Sequence, residues 1–341
     1  MNRTPRLSNA LCVVIAIAFS FPVYAYQGPQ ASAFNEAVST TVPTSALWRD
    51  RGNIGSLDLV NGAGGKTHQP TGKFTFVKED RGGSQPKFEI VDEQGVQWKA
   101  KLGDESKAET AATRLLWAAG YYTDEDYYVA ELRVENMPKL SRGSEFVSAD
   151  GVVRGVRLER EVKGQKKTGN WSWSNPPLEG TKEMNGLRIM MALMNNWDVK
   201  TINNAVYEVP GEEPKYAVSD LGATFGSTGG LGTMRRNKSR LDDYSESKFI
   251  DETAPEEVNL TLKSRPIFLL AISPFHYFKL AGRAKVAQDI PRADAKWLGQ
   301  LLGQLSAEQI RDCFRGAGYS PVEVEGFAKV VQGRIADLNQ L

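Results

Sequence analysis

Between Gly72 and Leu102 apolar side chains recur at alternate positions, and a period of two restricts the segment to strands with one buried face. Phe74 and Phe76, then Phe88 and Ile90, then Val96, Trp98, Ala100 and Leu102 would line that face, with Lys99 and Lys101 on the other. Gly82-Gly83-Ser84 and Asp92-Glu93-Gln94-Gly95 are rich in turn formers, so the strands are expected as an antiparallel meander. Residues 107–119 switch to helical spacing and Gly120 ends that helix; strands are expected again at 127–134 and 152–161.

The texture changes after Lys163. KGQKKTGNWSWSNPP reads as a polar loop, and residues 181–195 as a helix whose Met184, Leu187, Met191 and Met194 form a core stripe. A strand pair around 203–219 and a Gly-rich loop at 222–233 follow. Two capping boxes, Ser306 with Gln309 and Ser320 with Glu323, mark helix starts in the last third. The expected fold class is α+β: a strand-rich lobe at 72–162 carrying one helix, then a helix-rich lobe at 163–341, with 26–71 as a polar arm or loose cap.

The N-terminus predicts export. Arg3 and Arg6 precede an apolar run from Leu11 to Phe21, Pro22 breaks it, and Val23 and Ala25 suit cleavage after Ala25. The run is short for a membrane span, so no stable span is expected after cleavage of 1–25, an uncleaved anchor being the alternative. Cleavage removes Cys12 and leaves Cys313 alone, which forbids an internal disulfide. With 42 Lys plus Arg against 41 Asp plus Glu, there is no broad positive field for nucleic acid. The 2 histidines, His68 and His276, read as structural and exclude a His-rich zinc site. NGAGGKT at 61–67 is not a phosphate loop, because Val60 stands where the first glycine is required and no strand enters it.

Chemistry concentrates in Asn196–Gly222. Asp198, Lys200 and Asn203 fit D-x-K-x-x-N, and Asp220 leaves a short apolar strand into Leu221-Gly222. Upstream lie the turn GGSQPK (82–87), Lys101 off the open face of the third strand, and Glu109 early in the following helix. In this order the residues resemble the protein-kinase-like superfold. They are most similar to its atypical branches: the HipA-type toxin kinases and, more distantly, the phosphatidylinositol and secretory-pathway kinases. Gly83-Ser84-Gln85-Pro86-Lys87 matches the Gly-small-Gln-x-Lys loop of the HipA type.

The resemblance implies a bilobal fold with Mg2+ and ATP held between the lobes. Backbone N–H groups of Gly82, Gly83 and Ser84 would approach the phosphates. Lys101 would pair with the α- and β-phosphates and Glu109 would hold Lys101. Asn203 and Asp220 would offer hard oxygens to magnesium. Asp198 would accept or orient the acceptor hydroxyl's proton, with Lys200 on the transferred phosphate. The loop departs from the family in having Trp197 before Asp198, Lys200 where the HipA type has His, and Leu221 in place of the usual Phe.

Each residue also has a plainer reading. Asp198 can cap a turn, Asp220 can end a strand, and Gly82 and Gly83 can make a hairpin. Glu109 can serve the helix dipole, and Lys99 shares its face with Lys101. Three functions follow: an exported phosphotransferase of unknown acceptor, an inactive kinase-fold binding or scaffold protein, and a secreted glycan binder using Trp171 and Trp173.

Overall fold

The computed structural model describes residues 42–227, 237–262 and 282–341. The N-terminal half of this region is built on strands β1 (Phe74–Asp80), β2 (Lys87–Asp92), β3 (Gln97–Lys101), β4 (Asp126–Glu135) and β5 (Val152–Arg160). They do not stay an open meander. The order β1-β2-β3-β5-β4 closes on itself, because Phe74 and Thr75 pair in parallel with Val134 and Glu135. Closure removes both sheet edges and encloses a core of Phe74, Phe88, Ile90, Trp98, Ala100, Leu132, Val156 and Leu158.

Helix α1 (Glu105–Ala118) follows β3. Its Ala108, Ala111, Ala112, Leu115 and Leu116 belong to a second core shared with the C-terminal helices, separate from the barrel interior. Expected as the helix of the strand-rich lobe, α1 thus joins the two parts. Nearly every position is buried, the charged Glu105, Glu109 and Arg114 included, so it has no broad solvent face.

The second core is completed by α2 (Lys182–Leu193), α3 (Leu241–Glu246), α4 (Arg292–Leu302), α5 (Ala307–Arg315) and α6 (Pro321–Gln340). Met184, Leu187, Met191 and Met194 are all fully buried there. Both capping boxes form: the Ser306 hydroxyl accepts from Gln309 N–H and that of Ser320 from Glu323 N–H. A small sheet joins β6 (Lys166–Gly169), β7 (Asn204–Glu208) and β8 (Lys215–Val218), in the order β6-β7-β8. A further sheet joins β9 (Ile250–Thr253), β10 (Glu257–Leu260) and β11 (Ile290–Pro291).

One further expectation changes. Residues 42–71 are irregular, as an arm would be, but they are not loose: Leu47, Ile54 and Leu59 are buried in the second core. NGAGGKT forms two short 3-10 turns, and a side chain at Gly64 would collide with the Tyr127 hydroxyl. Among the described residues no helix is long and apolar enough to cross a membrane. Residues 1–41, His276 and much of the 222–233 loop lie outside the described residues.

Candidate functional site

Lys101 ends β3. Trp98 and Ala100 point into the barrel, so period two turns Lys99 and Lys101 outward. That outer face is covered by α1 and the segment after β8, and Lys101 is buried rather than open. Its Nζ lies 2.8 Å from Glu109 Oε2, 3.4 Å from Glu105 Oε2 and 3.4 Å from Asp220 Oδ1. Glu105 and Glu109 are one helical turn apart and therefore share a face of α1. Asp220 arrives from the exit of β8, over one hundred residues later.

The two candidate lysines are separated by their neighbours. Lys99 sits opposite Glu159 in the β3–β5 pairing and binds it at 3.0 Å, whereas Lys101 sits opposite Arg157. Arg157 is buried and its Nε lies 3.1 Å from the same Glu109 oxygen that Lys101 contacts. It also reaches Asp126 at 3.4 Å and Glu159 at 2.7 Å, and Arg114 pairs with Asp126 at 3.2 Å. Every buried charge in this layer therefore has an opposite one beside it, which such burial requires.

Protonation follows from that layout. Burial alone would lower the Lys101 ammonium, but Glu109, with Asp220 and Glu105, holds it above its ordinary value. Burial pushes the Glu109 carboxyl up to about 7 against the pull of Arg157 and Lys101. For Asp220 burial is outweighed by Lys101 and the Gly222 N–H, which keep it below the usual carboxylate range.

The segment Asp220-Leu221-Gly222 is locked onto α1. Leu221 N–H donates to Glu109 Oε1 at 3.4 Å, and a Cβ on Gly222 would lie 2.8 Å from the Glu105 carboxylate. Only glycine lets this backbone approach so closely. The neighbouring loop is stitched to it: Asn203 O accepts from Ser219 N–H at 2.8 Å and from Asp220 N–H at 3.2 Å.

Asn203 also fixes Asp198, donating from Nδ2 to the Asp198 carbonyl at 2.8 Å and to its Oδ2 at 3.2 Å. Lys200 Nζ binds that same Oδ2 at 2.7 Å. Asp198 Oδ1 is buried without a hydrogen-bond partner among the described residues, and Arg283 lies 3.8 Å from it. A carboxylate so placed has one oxygen spent on orientation and the other available as a proton acceptor.

The structure brings together Lys101, Glu109 and Asp220 in one group, and Asp198, Lys200 and Asn203 in another tied to Asp220 through the backbone. It does not bring Gly82, Gly83 or Ser84 into described contact with either group. All three are exposed; Gly82 N–H is taken by Asp80 at 2.8 Å, and Arg142 holds the Gly83 carbonyl at 2.8 Å. The member of this turn that reaches the site is Gln85, whose Nε2 donates to Glu105 Oε1 at 3.1 Å.

Sequence reasoning missed Glu105, Arg157 and Arg283. Glu105 was accessible through its four-residue spacing from Glu109, and Arg157 through its alternation with the buried Val156 and Leu158. Arg283 carries no such signal. Glu105, Glu109 and Asp220 each place an oxygen within 4.8 Å of the others, a hard-oxygen set that suits magnesium and that differs from the expected pair Asn203 and Asp220.

Trp171 does not stand at a loop tip. It is buried, its Nε1 donates to the Ala217 carbonyl at 2.8 Å, and Trp173 packs edge-on against it at 4.6 Å. This pair anchors the loop to the core and leaves no free Trp171 face for a sugar, which corrects the glycan-binding expectation.

No protein-family model matches the chain, and no curated protein sequence aligns with it. Among solved structures it is similar to the Helicobacter pylori proinflammatory kinase CtkA, at 10% identity and a TM-score of 0.46, over 80% of this chain and 98% of that one. It is also similar to the Golgi casein kinase, solved with Mn/ADP bound, at 12% identity and a TM-score of 0.41, over 79% of this chain and 72% of that one. At this level of likeness the functional reading rests on the site residues themselves.

Proposed function

We propose that this chain is a phosphotransferase that binds a magnesium–nucleotide between the barrel and the helical core. The observation that carries the reading is the convergence of Lys101, Glu109 and Asp220 from a strand, a helix and a later loop, with Asp198 and Asn203 tied to the same loop. A buried ammonium among three carboxylates is costly to assemble for stability alone. It suits a polyanion with its metal, because Lys101 can exchange carboxylate for phosphate partners while the freed acids take the cation.

Magnesium bound by Asp220, with Asn203 or Glu105 and Glu109, would neutralise charge on the phosphates. Lys101 would bind their oxygens, and Glu109, held by Arg157, would keep Lys101 in place. The acceptor oxygen would bond to the terminal phosphorus as the bond to the bridging oxygen breaks, and its proton would pass to Asp198 Oδ1. Lys200 would sit beside the moving charge. The nucleoside diphosphate leaves with the bridging oxygen.

The test is thermal unfolding with ATP, with and without magnesium. The expected result is a magnesium-dependent rise in the midpoint that Asp220→Ala removes. No rise in the wild-type chain would exclude nucleotide binding; a rise without phosphate transfer to any acceptor would favour the binding or scaffold reading. Export with cleavage after Ala25 is part of the proposal and is tested by N-terminal sequencing of the secreted or periplasmic chain.

A further inference from the structure

A cavity of about 370 Å³ opens at the start of α1, and neither Asp198 nor Asp220 is among its lining residues. Four cationic side chains line it from three parts of the chain: Lys107 of α1, Arg154 of β5, and Lys238 and Arg240 from the stretch leading into α3. Two carboxylates, Asp104 and Glu323, oppose them, so the lining is net positive.

The way these groups are engaged favours a ligand. The Glu323 carboxylate is turned to its own helix start, taking the Ser320 N–H at 2.8 Å and the Ser320 hydroxyl at 2.6 Å. Lys107 has aromatic neighbours, 5.7 Å from the Tyr128 ring and 5.4 Å from that of Tyr319. Arg154 has only a distant partner, Glu131 at 3.9 Å, and is 65% exposed. Arg240 has no ion-pair partner among the described residues and is exposed. Gly103 and Asp104, at the start of α1, line the opening, and no side chain caps that first turn. Lys238 alone is committed, to Glu105.

The geometry points to a binding site for a small phosphoryl-bearing polyanion, of the size of pyrophosphate or a sugar phosphate, distinct from the nucleotide cleft. Guanidinium pairs and an ammonium around one concavity match tetrahedral oxyanions, and the polar lining excludes an apolar ligand. The site does not depend on phosphotransfer, since none of Lys107, Arg154 or Arg240 belongs to the catalytic group.

The test is calorimetric titration of the full chain with inorganic pyrophosphate, without nucleotide and at low salt. One equivalent is expected to bind, with affinity falling steeply as salt rises. The double variant Arg154→Gln/Arg240→Gln should weaken binding by roughly tenfold or more, from the charge-assisted bonds lost. Lys107→Gln should weaken it as well, while Lys101→Met should leave affinity within about twofold. Both arginines are exposed, so their loss leaves the cores intact. Absence of pyrophosphate binding would overturn the proposal. So would loss on Lys101→Met with retention in the arginine variant, which would place the anion in the nucleotide cleft and leave the reading of that cleft standing.

Discussion

Arg157 Nε lies 3.1 Å from Glu109 Oε2, on the same oxygen that Lys101 approaches at 2.8 Å. Arg157 and Glu109 are each almost fully buried, so the pair is a fixed support beneath the buried Lys101 ammonium. Removing Arg157 would leave Glu109, Asp126 and Glu159 short of a counter-charge. Arg157→Leu is expected to destabilise the chain by about 3–5 kcal/mol, read as a lower urea midpoint, because unpaired buried charge is expensive.

The Glu109 carboxyl gives a pH signature. Its folded value of about 7 lies above the ordinary carboxylate value, so the folded state holds the proton more tightly than the unfolded one. Its contribution to stability is therefore full below the unfolded value and is lost as pH rises to about 7. Glu109→Gln, which resembles the protonated form, should flatten the stability profile between pH 5 and pH 7, monitored by urea unfolding across that range. An unchanged slope would mean that Lys101 and Arg157 outweigh burial at this site.

Lys101 and Lys99 should differ in function although they share a strand face. Lys101→Met is expected to abolish the magnesium-dependent effect of ATP on thermal unfolding. Lys99→Met removes only the cross-strand bond to Glu159 and should keep that effect, with a small loss of stability. Equal behaviour of the two variants would sink the assignment of Lys101.

How far this site could be read in the chain depended on the range of the interaction. Period two placed Lys99 and Lys101 outward and helical spacing placed Glu109 early in α1, because both are local rules, while the pairing of Glu109 with Lys101 was implied only by the family resemblance. Choosing between the lysines needed Glu159, some sixty residues away, and a strand period says nothing about which strand lies opposite. Barrel closure was hidden for the same reason: the pairing of Phe74 with Val134 leaves no mark on either strand's alternation. Gly222 was read as part of a turn; its tight fit against Glu105 is visible only once α1 is in place. The Gly82-Gly83-Ser84 turn shows the converse, since the family resemblance implied a phosphate cradle while Asp80 and Arg142 occupy part of its backbone.

Trp171 should prove structural. Trp171→Phe keeps much of the ring but loses the bond from Nε1 to the Ala217 carbonyl, leaving that acceptor without its side-chain donor. A loss of about 1–3 kcal/mol in unfolding free energy is expected, with no change in nucleotide response. Glycan-array binding that Trp171→Phe abolished without a change in stability would contradict this.

Asp198 and Asn203 separate chemistry from positioning. Asp198→Asn keeps the shape of the side chain and can still meet Lys200 and Asn203 through its oxygen, but it loses the free carboxylate oxygen. Phosphate transfer should fall by about 10²–10⁴-fold, the usual cost of removing a general base, while the ATP-dependent midpoint shift persists. Asn203→Ala acts differently, because its Nδ2 holds Asp198 at both the carbonyl and the carboxylate. Asp198 would then sample other rotamers, so transfer should fall less steeply. The Asn203 carbonyl, which holds Ser219 and Asp220, is backbone and survives the substitution. Asn203→Ala should therefore weaken nucleotide binding only if its side-chain oxygen is a metal ligand. A magnesium titration of the ATP effect decides this: a rightward shift in Asn203→Ala assigns the metal to Asn203 with Asp220, and an unchanged curve assigns it to Asp220 with Glu105 and Glu109.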